Sequence, residues 1–137
     1  MKGSLMMICG IEHVGLMSKD PQSLAEWYER VLDFRIIFRT EPEALKIFIA
    51  GKREGMIEII PYGNGINGLK PHERQVMHLA ISVDDFEEAH QRLKTEAVDI
   101  CGEPLDVFSG GKVLFFKDPE GNLLHLVYRP VKPWTAL

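Results

Sequence analysis

The sequence predicts an α+β domain made of two tandem βαβββ modules. Two observations carry this: the order strand, helix, three strands is written twice, and polar residues interrupt matching apolar strands at near-equal offsets. His13-Val14-Gly15-Leu16 overlays His78-Leu79-Ala80-Ile81 at 78 − 13 = 65. Met56-Ile57-Glu58-Ile59-Ile60 overlays Leu123-Leu124-His125-Leu126-Val127 at 125 − 58 = 67. An internal duplication is the simplest account of both.

Module one spans residues 8–61. Its first strand runs from about Ile8 to Met17. Asp20-Pro21 then forms a helix start, with an Asp cap and proline at the first helical position. Leu24, Trp27, Tyr28, Val31 and Leu32 recur at helical spacing. Phe34–Thr40, Ala44–Ala50 and Met56–Pro61 are short runs rich in Ile and Phe, broken by Glu41-Pro42 and by the glycines at 51 and 55. They read as three strands.

Residues 62–72 are rich in Gly, Asn and Pro and read as a linker. Module two, residues 73–129, repeats the order. Gln75–Val83 is a strand, and Asp84-Asp85 can cap a helix in which Phe86, Ala89, His90 and Leu93 share a face. Strands follow near Val98–Glu103, Lys112–Lys117 and Leu123–Tyr128, the last two joined by the turn Asp118-Pro119-Glu120-Gly121-Asn122. Gly102, Pro104, Gly110 and Gly111 make the first of these the weakest strand pattern.

With 137 residues the chain is expected to form one domain with a real core. A hydrophobic fraction of 45% argues against disorder. The net charge of −4, with no run of like charges, argues against nucleic-acid binding. No apolar run reaches the roughly 18 residues of a membrane span. The short apolar N-terminus soon meets Glu12 and His13, so it reads as the lead into a strand rather than a targeting segment. Cys9 and Cys101 form no motif and read as two buried thiols of a cytoplasmic protein.

Strand alternation puts His13 on a face with Ile11, Gly15 and Met17, and Glu58 with Met56 and Ile60. His78 shares one with Val76, Ala80 and Ser82, and His125 with Leu123 and Val127. A carboxylate on such a face is costly unless paired or bound to a metal. A lone strand histidine is more often structural than functional, and Glu58 alone can face water. Four such residues at equivalent places in two repeats instead suggest ligands to one divalent ion, for which imidazole and carboxylate suit Zn, Ni, Co, Mn or Fe. His72, in the linker, and His90, on a helix, lack this pairing and read as surface residues.

The runs Ile11–Leu16, Met56–Pro61, His78–Val83 and Phe116–Leu126 resemble the vicinal-oxygen-chelate superfamily, which includes glyoxalase I, bleomycin-resistance proteins and extradiol dioxygenases. The most specific is the aromatic residue followed by Asp118-Pro119-Glu120-Gly121-Asn122. The resemblance covers about Ile8 to Arg129 and implies a curved mixed sheet that cups a metal. In glyoxalase I-like members the ligands are His, Glu, His and Glu. His13, Glu58 and His78 match the first three, whereas His125 stands where the second glutamate is expected. The implied activity is isomerase, lyase or epimerase chemistry beside a carbonyl, with Glu58 as the proton-moving residue. Its substrate is a small molecule with neighbouring oxygens. The alternatives are a metal-dependent dioxygenase and a non-catalytic protein that sequesters a drug or antibiotic. A homodimer is expected. If modules are exchanged, His13 and Glu58 come from one chain and His78 and His125 from its partner.

Overall fold

The computed structural model describes residues 12–53, 55–62 and 78–131. The chain divides into two compact units, Met1–His72 and Glu73–Leu137. Cys9, His72 and the starts of the first and fifth predicted strands, residues 8–11 and 75–77, lie outside the described residues, as does nearly all of the linker.

In the first unit the order is β1 (His13–Ser18), α1 (Pro21–Leu32), β2 (Arg35–Arg39), β3 (Ile47–Ala50) and β4 (Met56–Pro61). The sheet order is β1-β4-β3-β2. β4 pairs parallel with β1 and antiparallel with β3. A parallel partner needs a crossover, which here is α1 with two strands. Asp20 caps α1 by accepting from the Ser23 amide at 3.1 Å, with Pro21 at the first helical position. The buried side chains of α1, including Leu24, Tyr28 and Val31, cover the face carrying Ile47, Ile49, Ile57 and Ile59. Burying each such aliphatic side chain contributes about 1.5–3 kcal/mol. The third strand starts at Ile47 rather than Ala44 because Pro42–Ala44 wind into a 3₁₀ turn, which proline opens readily.

The second unit repeats this plan: β5 (His78–Ser82), α2 (Phe86–Thr95), β6 (Asp99–Val107), β7 (Gly111–Lys117) and β8 (Leu123–Tyr128), with sheet order β5-β8-β7-β6. Asp85 caps α2 through the Glu88 amide at 3.0 Å. Phe86 and Leu93 are buried, as are Leu114, Phe116, Leu124 and Leu126 on one face of the sheet. β6 runs on to Val107, past the predicted end at Glu103. The register shifts between Cys101 and Leu105, so Gly102 and Pro104 sit in a bulge. An edge strand tolerates a bulge and a proline that an inner strand would not. Cys101 is half-buried, not buried, and its thiol lies 3.8 Å from the Asp99 carbonyl.

The Asp118 turn is held by its own carboxylate. Oδ1 accepts from the amides of Glu120 at 2.9 Å and Asn122 at 3.0 Å, and Oδ2 from the Asn122 side chain at 2.7 Å. Gly121 takes the left-handed conformation this requires, φ +85°.

α2 ends in a Schellman arrangement. The Ala97 amide donates to Lys94 at 3.1 Å and the Val98 amide to Leu93 at 3.0 Å. The left-handed position, φ 55°, is occupied by alanine. A Cβ there costs about 1 kcal/mol that glycine avoids. Ala97→Gly is therefore expected to raise stability by up to about 1 kcal/mol. Urea unfolding of both proteins checks this, and an unchanged or lowered midpoint contradicts it.

Candidate metal centre

Both units present their chemistry on the face opposite the helix. In the first, Gly15 on β1 pairs with Glu58 on β4, and Phe48 on β3 pairs with Glu58 from the other side. In the second, Ala80 on β5 pairs with His125 on β8, and Phe115 on β7 pairs with His125. The residue two places before Gly15 is His13, and two before Ala80 is His78. Each unit thus builds the same diagonal: a histidine on the first strand, a second donor on the last, and a phenylalanine beyond.

His13 stands between two carboxylates. Nδ1 lies 2.9 Å from Glu12 Oε1, and Nε2 lies 3.2 Å from Glu58 Oε1. A neutral imidazole has one N–H and one lone pair, so it must turn that lone pair toward one of the carboxylate oxygens. A proton or a cation resolves the conflict. The Glu12 contact suits an Nδ1–H donor, leaving the Nε2 lone pair beside Glu58. The 3.2 Å separation suits two donors of a single ion. With bonds of about 2.1 Å, adjacent donors lie about 3.0 Å apart in octahedral and about 3.4 Å in tetrahedral coordination. The Glu58 side chain is 13% exposed. The Phe48 ring meets His13 edge-on at 5.6 Å and 79°.

In the second unit the His78 and His125 rings lie 4.7 Å apart, centre to centre. Phe115 meets His78 edge-on at 5.9 Å and 76°, much as Phe48 meets His13, and lies 4.9 Å from His125. His78 is exposed and His125 buried, at 6%. His125 Nδ1 donates to the Leu126 carbonyl at 3.0 Å. That bond sets the tautomer, because a carbonyl only accepts, and leaves the Nε2 lone pair for a ligand.

Each unit brings together two of the four predicted residues. Within either unit, among the described residues, no group of three or more His, Cys, Asp or Glu gathers into a metal-holding cluster. Phe48 and Phe115 were not singled out from sequence, since a phenylalanine in an apolar strand looks like core. Their offset, 115 − 48 = 67, equals that of Glu58 and His125. Among cations with the potential to line the site, Arg39 instead bonds Gln22 of α1 at 3.1 Å. Lys112 pairs with Tyr128 one position out of phase with His125, and so belongs to the helix-covered face.

Burial holds the His125 pKa below its ordinary value, and the charges of His78 and Arg129 push the same way against the Leu126 bond. The unfolded chain therefore takes up this proton at higher pH than the folded one. Below the ordinary value of about 6.5 the unfolded state holds more protons, so stability falls as pH falls. Chelator-treated protein is expected to lose thermal stability from pH 7.5 to 5.5, and His125→Gln to lose less. Parallel melting curves for the two proteins would contradict this.

A family model described as the Glyoxalase/Bleomycin resistance protein/Dioxygenase superfamily matches residues 10–126. The chain is 25% identical over 131 residues to the uncharacterized protein YwkD of Bacillus subtilis (strain 168), covering 88% of this chain and 98% of that one. Its fold is similar to a superfamily member from Sphaerobacter thermophilus DSM 20745, with TM-score 0.77, 19% identity, and 90% and 100% of the two chains covered. It is similar to the fosfomycin resistance protein FosX from Listeria monocytogenes, with TM-score 0.70, 21% identity, and 91% and 97% covered. It is also similar to TnmS3, an antibiotic binding protein from Streptomyces sp. CB03234, with TM-score 0.73, 18% identity, and 91% and 99% covered. These structural likenesses, all below 25% identity, speak to fold alone. On the match over residues 10–126 and the duplicated βαβββ plan, the chain belongs to the Glyoxalase/Bleomycin resistance protein/Dioxygenase superfamily.

Proposed function

We propose that the chain is a divalent-metal-dependent enzyme of the glyoxalase-like type, acting beside a carbonyl of a small substrate with neighbouring oxygens. The observation that supports it is the repeated donor pair, His13 with Glu58 and His78 with His125, at equivalent register positions and each backed by a phenylalanine. The four residues would hold one ion, with Zn, Ni, Co, Mn and Fe all suited to two donor types of this kind. When bound, the ion polarises the substrate carbonyl. Glu58 is the proton carrier: its carboxylate is mostly covered and is the only acidic member of the set. His13, with its Nε2 3.2 Å from Glu58, would be the neighbouring donor to the same ion. His125, tied to the Leu126 carbonyl, contributes a neutral donor. Two carboxylates would neutralise a divalent ion, whereas Glu58 alone leaves a net positive charge that favours an anionic, enolate-like substrate.

A non-catalytic ligand-binding role is the second reading, since the same fold is found in TnmS3, an antibiotic binding protein. That role predicts tight ligand binding in metal-free protein. We also propose that the chain works as a homodimer, the commonest symmetric assembly. Light scattering at micromolar concentration is expected to give twice the 15.6 kDa chain mass, and a monomer would count against it.

His125→Ala is the direct test of the ligand set. Metal per chain, by elemental analysis after chelator-free purification, is expected to fall well below the wild-type value, with a matching loss of metal-dependent thermal stabilisation. Equal metal content would remove His125 from the set and leave two histidines and one carboxylate. That arrangement favours the dioxygenase alternative.

A further inference from the structure

The described residues leave one buried guanidinium nitrogen unexplained. Arg129 Nη1 is buried with no hydrogen-bond partner. A guanidinium stays charged at any ordinary pH and carries five N–H donors, so an orphaned one is expensive and calls for an acceptor. The Phe108 ring lies 4.7 Å from its central carbon. Stacking occupies the π face of the guanidinium, so an acceptor for Nη1 has to come in its plane.

The turn that carries Phe108 is built at some strain. Ser109 is left-handed at φ 57°, and Gly110 follows at φ +78°. A Cβ on Gly111 would stand 2.9 Å from both the Tyr128 carbonyl and a Val107 methyl, so only glycine fits there. Phe108 lies over Arg129 although the residue is 62% exposed. Phe108 thus sits at the surface against Arg129 rather than in the core. Alternation along β8 sets Arg129 on the face that carries His125 and Val127.

We infer that Arg129, capped by Phe108, is an oxyanion anchor: it takes a carboxylate or phosphoryl group of the ligand whose other oxygens reach the His78–His125 side of the site. This rests on the reading of that face as the ligand site and narrows the substrate class to a small organic anion. The planar fork matches two oxygens of one carboxylate or phosphoryl group, and the ring shields the contact from water.

The full-length protein, chelator-treated and metal-loaded, is titrated with malonate and with inorganic phosphate at constant ionic strength, chloride being the control. Saturable binding of at least one anion, about one per chain, is expected. Arg129→Gln is expected to weaken it at least tenfold, and Phe108→Ala at least threefold. Arg129→Lys guards against a folding defect. It keeps the charge but not the fork, so it is expected to bind the anion that wild type prefers, more weakly than wild type and more tightly than Arg129→Gln. No saturable binding of either anion to wild type, or equal affinity in wild type and Arg129→Gln, overturns the proposal. Metal content is measured on the same samples. A wild-type protein that binds anion but no metal keeps this anchor and defeats the metal reading, whereas metal without anion binding does the reverse.

Discussion

Everything chemical in this molecule depends on two parallel strand pairings, β1 with β4 and β5 with β8. Each joins the first and last strands of a module, so residues about 45 positions apart in sequence, such as His13 and Glu58, become neighbours. A parallel pair cannot close through a tight turn. The helix and two strands between are the crossover it requires, and burying the helix against the sheet commits one face to the core. The other face is left to carry His13, Glu58 and Phe48 in one unit, and His78, His125 and Phe115 in the other. A one-residue slip in either pairing would send the last-strand donor into the helix-covered face.

Register is guarded at the ends of these strands. The Asp118 carboxylate collects three hydrogen bonds in the turn that starts β8, and is itself only 4% exposed. Removing it would leave two part-buried amides to find water or other partners and would loosen the turn. The close approach at Gly111 fixes the opposite end of β7 against Tyr128. Between these points β8 offers little freedom to move His125. The family's most recognisable sequence run is thus a device that sets where the last donor stands.

Much of this was legible in the sequence because duplication supplies an internal control. The element order, both helix caps and the equivalence of His13 with His78 and of Glu58 with His125 follow from pattern and offset. What was not legible depends on backbone detail. The length of β6 turns on a bulge that hides Gly102 and Pro104 at a sheet edge, where their usual strand-breaking effect lapses. The register with Tyr128 assigns Lys112 to the helix-covered face, which strand pattern alone does not fix. Phe48 and Phe115 are chemically ordinary, and only contact geometry separates them from the core. The meeting of Phe108 with Arg129 follows from Ser109 in a left-handed conformation, which no residue type announces.

The difference between the two halves has a physical reading. Glu58 and His125 hold equivalent positions, yet Glu58 keeps a partly exposed side chain with His13 beside it, whereas His125 is buried among Phe115, His78 and its own strand. A carboxylate at the His125 position would meet two aromatic rings and a backbone carbonyl, an environment that penalises negative charge. Imidazole meets the same surroundings as a neutral donor whose one N–H is already satisfied by Leu126. The burial that lowers the His125 pKa also keeps its Nε2 lone pair available at lower pH than for an exposed histidine. A histidine rather than a carboxylate at this position therefore agrees with its environment. It leaves the first unit with a histidine beside a carboxylate and the second with two imidazoles.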